Sequence, residues 1–203
     1  MNLFRNISWY SSLLSLLVIL LAGPFSCERP ATRVLIQTEM GDLTVELYPE
    51  KAPVTVSNFL NHVERGDYTN SIFYRVVRTD NQPSNKVKIE VIQGGLFHDE
   101  VLDTIAPIIH ETTQETGILH RDGVISMARM QPGSASTEFF ICIGDQPSLD
   151  YGGTRNPDLQ GFAAFGKVIE GMDVVRAIQA LPDEGQYLKK QVLIRDISLL
   201  PDR

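Results

Sequence analysis

Apolar and polar residues alternate strictly through Leu43, Thr44, Val45, Glu46, Leu47 and Tyr48. A period of two predicts a half-buried strand, with Leu43, Val45 and Leu47 on the packed face. Residues 34–38 form a similar run, and Met40-Gly41 between the two reads as the turn of a hairpin. The period then changes. Val56, Phe59, Leu60 and Val63 recur at i, i+3, i+4 and i+7, the buried stripe of an amphipathic helix. Pro53 suits the first turn of that helix, where its missing N–H is not needed, and Gly66 suits its end. Residues 71–77 return to strand character and carry Arg75, and a further short run leads to Gln93-Gly94-Gly95. Residues 96–119 follow no clear period and read as a surface excursion.

The stretch from Gly123 to Gly144 is the most informative. Two apolar runs, 124–127 and 139–143, flank a hinge of Pro, Gly, Ser, Ala and Thr, which predicts two strands joined by a loop. Adjacent strand residues face opposite ways, so one of Phe139 and Phe140 fills the core while the other faces outward or into a pocket. Residues 145–161 are turn-rich. Residues 162–169 read as a strand, and 171–181 as a second helix with Met172, Val175 and Ile178 on one side and Pro182 as the stop. Residues 191–200 form a last strand. Many short antiparallel strands with two helices predict a mainly β fold closed into a barrel, because closure removes exposed edges.

Residues 1–27 stand apart. Arg5 precedes an apolar core at 13–22 that is too short to span a bilayer comfortably and fits an export signal. Small residues before Cys27 make it a candidate lipidation site, so that 1–27 would be a lipoprotein signal, 28–33 a tether and 34–203 the folded domain. A freely secreted protein and an uncleaved anchor are the alternatives. Either way the expected location is the periplasm or cell envelope.

The chain has 203 residues and a formal net charge of −7. One ordinary domain fits that length, and an acidic chain without a basic run argues against nucleic-acid binding. Of the two cysteines, Cys142 sits in an apolar strand and reads as a buried thiol, a Cys27–Cys142 disulfide being the alternative. The four histidines, His62, His98, His110 and His120, show no metal-ligand spacing, so no metal and no cofactor is expected.

Gly-Val-Ile-Ser-Met-Ala-Arg at 123–129, followed by Ser-Thr-Glu-Phe-Phe-Ile at 136–141, resembles the central signature of the cyclophilin-type peptidyl-prolyl cis-trans isomerases. Ala-Pro-Val-Thr-Val-Ser-Asn-Phe-Leu at 52–60, Ile-Phe-Tyr-Arg-Val-Val at 72–77 with Gln93-Gly94-Gly95, and Phe-Gly-Lys-Val-Ile-Glu-Gly-Met-Asp-Val-Val at 165–175 agree in the same order. The resemblance implies an eight-stranded antiparallel β-barrel capped by two helices, with a packed interior and an active groove on its outer face. It implies an enzyme that isomerises X-Pro bonds and binds proline-containing segments of client proteins, acting as a monomer.

The X-Pro amide rotates over a barrier of about 18–20 kcal/mol set by resonance. A cation donating toward the prolyl nitrogen localises the lone pair and weakens that resonance, and arginine suits the task because it stays charged. The resemblance assigns this role to Arg75, backbone recognition to Gln93 and the proline pocket to Phe140, Val91 and Leu149. It places Phe162 and Glu138 along the groove, and Ala128 and Arg129 on the edge that pairs with substrate backbone. Four features depart from the family pattern. Glu90 falls where an aromatic side chain lines the pocket, Glu138 replaces a glutamine, and Ser148 replaces a rim aromatic. Residues 78–88 form an inserted polar loop, expected to be mobile. These departures support a second reading, a non-catalytic module that holds proline-containing segments.

Overall fold

The computed structural model describes residues 31–97 and 104–201. Cys27 with its whole preceding segment, residues 28–30 of the tether, and His98 lie outside the described residues. The elements run β1 (Arg33–Thr38), β2 (Gly41–Leu47), α1 (Pro53–Glu64), β3 (Ser71–Val77), β4 (Val91–Gly95), α2 (Thr113–Thr116), β5 (Val124–Met127), β6 (Phe139–Cys142), β7 (Ala163–Glu170), α3 (Met172–Gln179), β8 (Asp183–Glu184) and β9 (Tyr187–Leu199).

Strands pair antiparallel in the order β1-β2-β7-β5-β6-β4-β3-β9, and β1 pairs back to β9, so eight strands close into a barrel. The two-residue β8 is appended to β9 as a hairpin. β9 therefore starts four residues before the run that the apolar pattern marks, because Tyr187 and Leu188 pair with β8. Helices α1 and α3 pack against the barrel as expected. The third, α2, is a single turn within the excursion at 96–119, and its Thr112 and Glu115 cap each other reciprocally.

The period of two on β1 and β2 holds, with every second residue buried. Phe59 on α1 meets Phe139 edge-on, with ring centroids 5.8 Å apart, and Phe165 at 5.2 Å. Phe73 and Tyr68 also stand 5.8 Å from Phe139, each near perpendicular. Phe139 is thus the hub of an aromatic core that joins α1 to three strands. The Tyr68 hydroxyl, fully enclosed, donates to Thr137 O at 2.9 Å. Leu60 of the predicted stripe is only half-buried, while Val56, Phe59 and Val63 are buried.

The residue after Phe139 faces the other way. Phe140 belongs to a second apolar cluster on the outside of the barrel, with Val77, Ile89, Val91, Cys142 and Leu149. Cys142 is free and fully buried there.

The loop after β3 differs from its composition. Gln82 is 1% exposed, and its amide closes the loop on itself by donating to Arg78 O at 2.6 Å and Ile89 O at 2.7 Å. Arg155 reaches in to Gln82 Oε1 at 3.0 Å and Val87 O at 2.6 Å. Arg78 is paired with Asp183 and donates to Gln179 O at the end of α3 at 2.8 Å. The expected mobile loop is therefore stapled to three neighbouring segments, and its exposed positions are Thr79, Asp80, the tip at 83–86 and Lys88.

Phe139→Ala would remove the shared partner of Phe59, Tyr68 and Phe73 from a core that cannot collapse around the gap. Urea unfolding should show a loss of about 3–5 kcal/mol. A loss below about 1 kcal/mol would mean that the aromatic hub carries little of the stability.

Candidate active site

A groove residue must leave the barrel wall, and the strand backbone decides which do. Register places Arg75 opposite Gln93, and Gln93 opposite Phe140. Directly opposed residues point to the same face, so these three form one row across β3, β4 and β6. With strands about 4.8 Å apart, the row is roughly 10 Å long. In β3 the register shifts between Phe73 and Arg75 toward both neighbouring strands. This bulge puts Tyr74 and Arg75 on the outer face together, while Phe73 and Val76 enter the core.

The Arg75 guanidinium is held from two sides. Nη1 donates to Gln93 Oε1 at 2.9 Å, and Nε and Nη2 donate to Gln186 Oε1 at 3.1 and 2.5 Å. Burial lowers the Arg75 pKa from its ordinary value without discharging it. Gln186 sits at the β8–β9 turn with φ 78°, and it is fixed in turn by Asp183 Oδ2, which accepts from its N–H at 3.0 Å. Burial works against ionisation of Asp183. Hydrogen bonds from Arg78, Asn81 and the Gln186 N–H nevertheless hold its carboxyl below the usual range.

Gln93 continues the chain of bonds. Its amide donates to the Tyr74 hydroxyl at 2.6 Å, and that hydroxyl donates to Glu138 Oε2 at 2.6 Å. Glu138 Oε1 accepts from the N–H groups of Leu96 and Phe97 at 2.8 and 3.2 Å. Both carboxylate oxygens are therefore engaged beneath the groove. Gly95, at φ 145°, leaves room for this, since a Cβ there would overlap the Glu138 carboxylate.

The apolar end of the row is built on Phe140. Phe162 meets it edge-on, with centroids 5.3 Å apart and planes at 89°. Val91, Leu149 and Ile89 pack beside it, and Ala128 is half-buried against the cluster. Ile89, not Glu90, joins this wall, so the acidic residue does not take the aromatic position in the pocket. The Arg129 side chain is fully enclosed. It donates to Gly161 O at 2.6 and 2.8 Å, pairs with Asp158 at 2.8 Å, and lies 5.1 Å from the Phe162 ring. Hydrogen bonds from Arg129 and from the Gln160 N–H pull the Asp158 carboxyl down to about 2. Arg129 thus fixes the loop that carries Phe162, and Ala128 N–H is already bonded to Glu138 O at 2.8 Å.

Sequence reasoning passes over several residues. Gln186 has no signal beyond a turn next to Gly185, and Tyr74 hides beside Arg75 because alternation assigns it to the core. Behind Phe140 stands His120, whose ring lies parallel to it at 5.9 Å. His120 Nδ1 is 2.7 Å from Asp150 Oδ1, and Nε2 is 3.0 Å from Ser126 Oγ. The trio has the composition of a hydrolytic triad, but Ser126 is 0% exposed and no substrate carbonyl can reach it. Its geometry supports the pocket ring instead. Among the described residues, no group of three or more His, Cys, Asp or Glu side chains is arranged to hold a metal ion.

A charged, doubly held guanidinium beside an apolar slot, on the outside of a closed barrel, defines a groove that can grip and polarise an amide without a nucleophile. Residues 33–199 match the sequence model of the cyclophilin type peptidyl-prolyl cis-trans isomerase family. The peptidyl-prolyl cis-trans isomerase of Acinetobacter baylyi is 36% identical over 172 residues, 83% of this chain and 83% of that protein. Peptidyl-prolyl cis-trans isomerase B of Escherichia coli is 35% identical over 169 residues, 81% and 94% of the two chains. A cyclophilin structure from Cryptosporidium parvum superposes with a TM-score of 0.67 at 23% identity, covering 85% of this chain and 99% of that one. The chain belongs to the cyclophilin-type peptidyl-prolyl cis-trans isomerases and is an enzyme of that class.

Burial raises the Glu138 carboxyl above its usual range, against the lowering effect of the hydrogen bonds it accepts from Tyr74, Phe97 and Leu96. A raised carboxyl binds its proton more tightly folded than unfolded. The native state therefore loses stability as pH climbs through the folded value. Glu138→Gln removes that ionisation. Urea unfolding should show the variant gaining on wild type from mildly acid to neutral pH, then holding level. A difference independent of pH would show that Glu138 is not raised.

Proposed function

We propose that this cyclophilin acts at the cell envelope, isomerising X-Pro bonds in exported proteins as they fold. The observation that carries the mechanism is the row Arg75–Gln93–Phe140, with Arg75 held by Gln93 and Gln186. In this reading the prolyl ring enters the apolar wall of Phe140, Val91, Leu149, Ile89 and Phe162. Gln93 recognises the substrate backbone, while Ala128 borders the pocket and Arg129 holds the loop that carries Phe162. Arg75 faces the prolyl nitrogen and donates to it as the amide twists, which localises the lone pair. Glu138 supports Tyr74 and the turn after β4, and does not touch substrate. The protein acts as a monomer on proline-containing segments. The same fold in the Cryptosporidium parvum protein has been solved in the presence of the dipeptide Ala-Pro, with a TM-score of 0.66.

Only an interaction stronger with the twisted amide than with either planar isomer accelerates the reaction. A hydrogen bond to a charged group contributes roughly 1.5–3 kcal/mol, and each ~1.4 kcal/mol is tenfold in rate. Exchange spectroscopy on one proline peptide should show Arg75→Ala slowing isomerisation roughly ten- to a hundredfold, with peptide affinity falling much less. Phe140→Ala should weaken affinity as well. Full turnover by Arg75→Ala would remove Arg75 from catalysis. Peptide binding without exchange enhancement in the wild type would support the non-catalytic module.

The envelope location is supported by the apolar core at 13–22 and by Cys27, which would tether the domain through a lipid. Intact-mass measurement of the mature protein should find Cys27 as a lipidated N-terminus, and Cys27→Ser should release the protein from membranes or block processing. An unmodified N-terminus elsewhere would rule the lipid anchor out.

A further inference from the structure

The groove does not end at Arg75. On the side away from Phe140, Phe97 stacks on Tyr74 with centroids 4.1 Å apart and planes at 27°. Tyr187 stands across from Arg75 in the β3–β9 register, 6.4 Å from the Tyr74 ring and 6.3 Å from the Phe97 ring. Tyr74 itself is nearly buried, but Phe97 is 38% and Tyr187 53% exposed. Aromatic faces are therefore offered to solvent directly beside the guanidinium, and Tyr74 joins them to it through the hydrogen bond to Gln93.

The protein also works to hold this arrangement. Phe97 has φ 54°, a left-handed backbone that costs free energy for a bulky residue. The Glu138 carboxylate, set beneath Tyr74, binds the N–H of Phe97 and of the residue before it. Backbone strain and a carboxylate set beneath the groove are thus combined to keep a partly exposed ring on Tyr74. Folding alone would be served as well by a glycine or a small polar residue.

We infer that Tyr74, Phe97 and Tyr187 form a second recognition subsite, continuous with the proline groove, that receives an aromatic side chain flanking the proline of a client segment. Stacked or edge-on rings attract beyond the area that they bury, and a ring in this subsite would also be near the Arg75 cation. The enzyme would thereby favour X-Pro bonds set among aromatic residues, which are exposed in unfolded chains and hidden in folded ones. This inference rests on the isomerase reading for its biological sense, yet it can be tested apart from turnover.

The test uses pairs of short peptides that differ only in one residue flanking the proline, phenylalanine or alanine, with that residue placed before the proline in one pair and after it in the other. Calorimetric titration of the full wild-type chain should show one phenylalanine peptide binding about tenfold tighter than its alanine counterpart. Tyr187→Ala and Phe97→Gly should each bring that ratio close to one. Phe97→Gly should also keep or raise the melting temperature, because glycine accepts the left-handed backbone without strain. Equal affinities in the wild type for both pairs, or a ratio that survives both substitutions, would overturn the subsite. If Phe97→Gly does not fold, Tyr187→Ala decides. Absence of exchange enhancement on the alanine peptide, with the affinity ratio as expected, would sink the isomerase reading and leave the subsite standing.

Discussion

A regular strand can send only every second side chain outward, and this constraint governs what the β3 edge can present. Strict alternation would leave either Tyr74 or Arg75 pointing into the core. The bulge between Phe73 and Arg75 suspends alternation for one residue and places both on the groove face. Gln93 can then link them, bonding Arg75 with its oxygen and Tyr74 with its amide. The network through Glu138 to the turn after β4 depends on the same displacement. Without the bulge, Arg75 and Tyr74 could not share a partner.

The rest of the barrel supplies stiffness to that edge. Phe139 and Phe140 divide one short strand between two apolar bodies, the interior around Phe59, Phe73 and Phe165 and the outer wall around Leu149 and Phe162. Any shift of β6 that moves the pocket ring must also move the hub of the core. Close packing resists such shifts, so the pocket inherits the rigidity of the interior. His120, backed by Asp150 and Ser126, braces Phe140 from behind.

The strands and both capping helices were legible because burial imposes a period on the chain, and a period survives in a single sequence. Phe139 and Phe140 could be told apart as a pair for the same reason. The bulge left no trace, since it arises from pairing with two other strands. Gln186 was hidden because it meets Arg75 from 111 positions away and belongs to a turn with ordinary composition. Glu138 and Arg129 were visible as polar residues at the groove, but whether a carboxylate or guanidinium faces substrate or neighbour depends on which partners the fold delivers. The loop at 78–88 shows the same limit. Its polar residues match a mobile segment in composition, yet Gln82 turns inward and satisfies the loop's own backbone.

Cys142 lies in the outer wall with no exposure, and burial raises its thiol well above the ordinary value. Only the thiolate reacts readily, so this sulfur is protected twice, by access and by protonation. In an oxidising compartment it would neither pair with other thiols nor climb the oxidation ladder while the barrel stays closed. Alkylating reagents would therefore meet it only when the groove wall parts from the strands beneath. A chemical label at this one position would thus time the opening of the enzyme, without any probe having to be introduced.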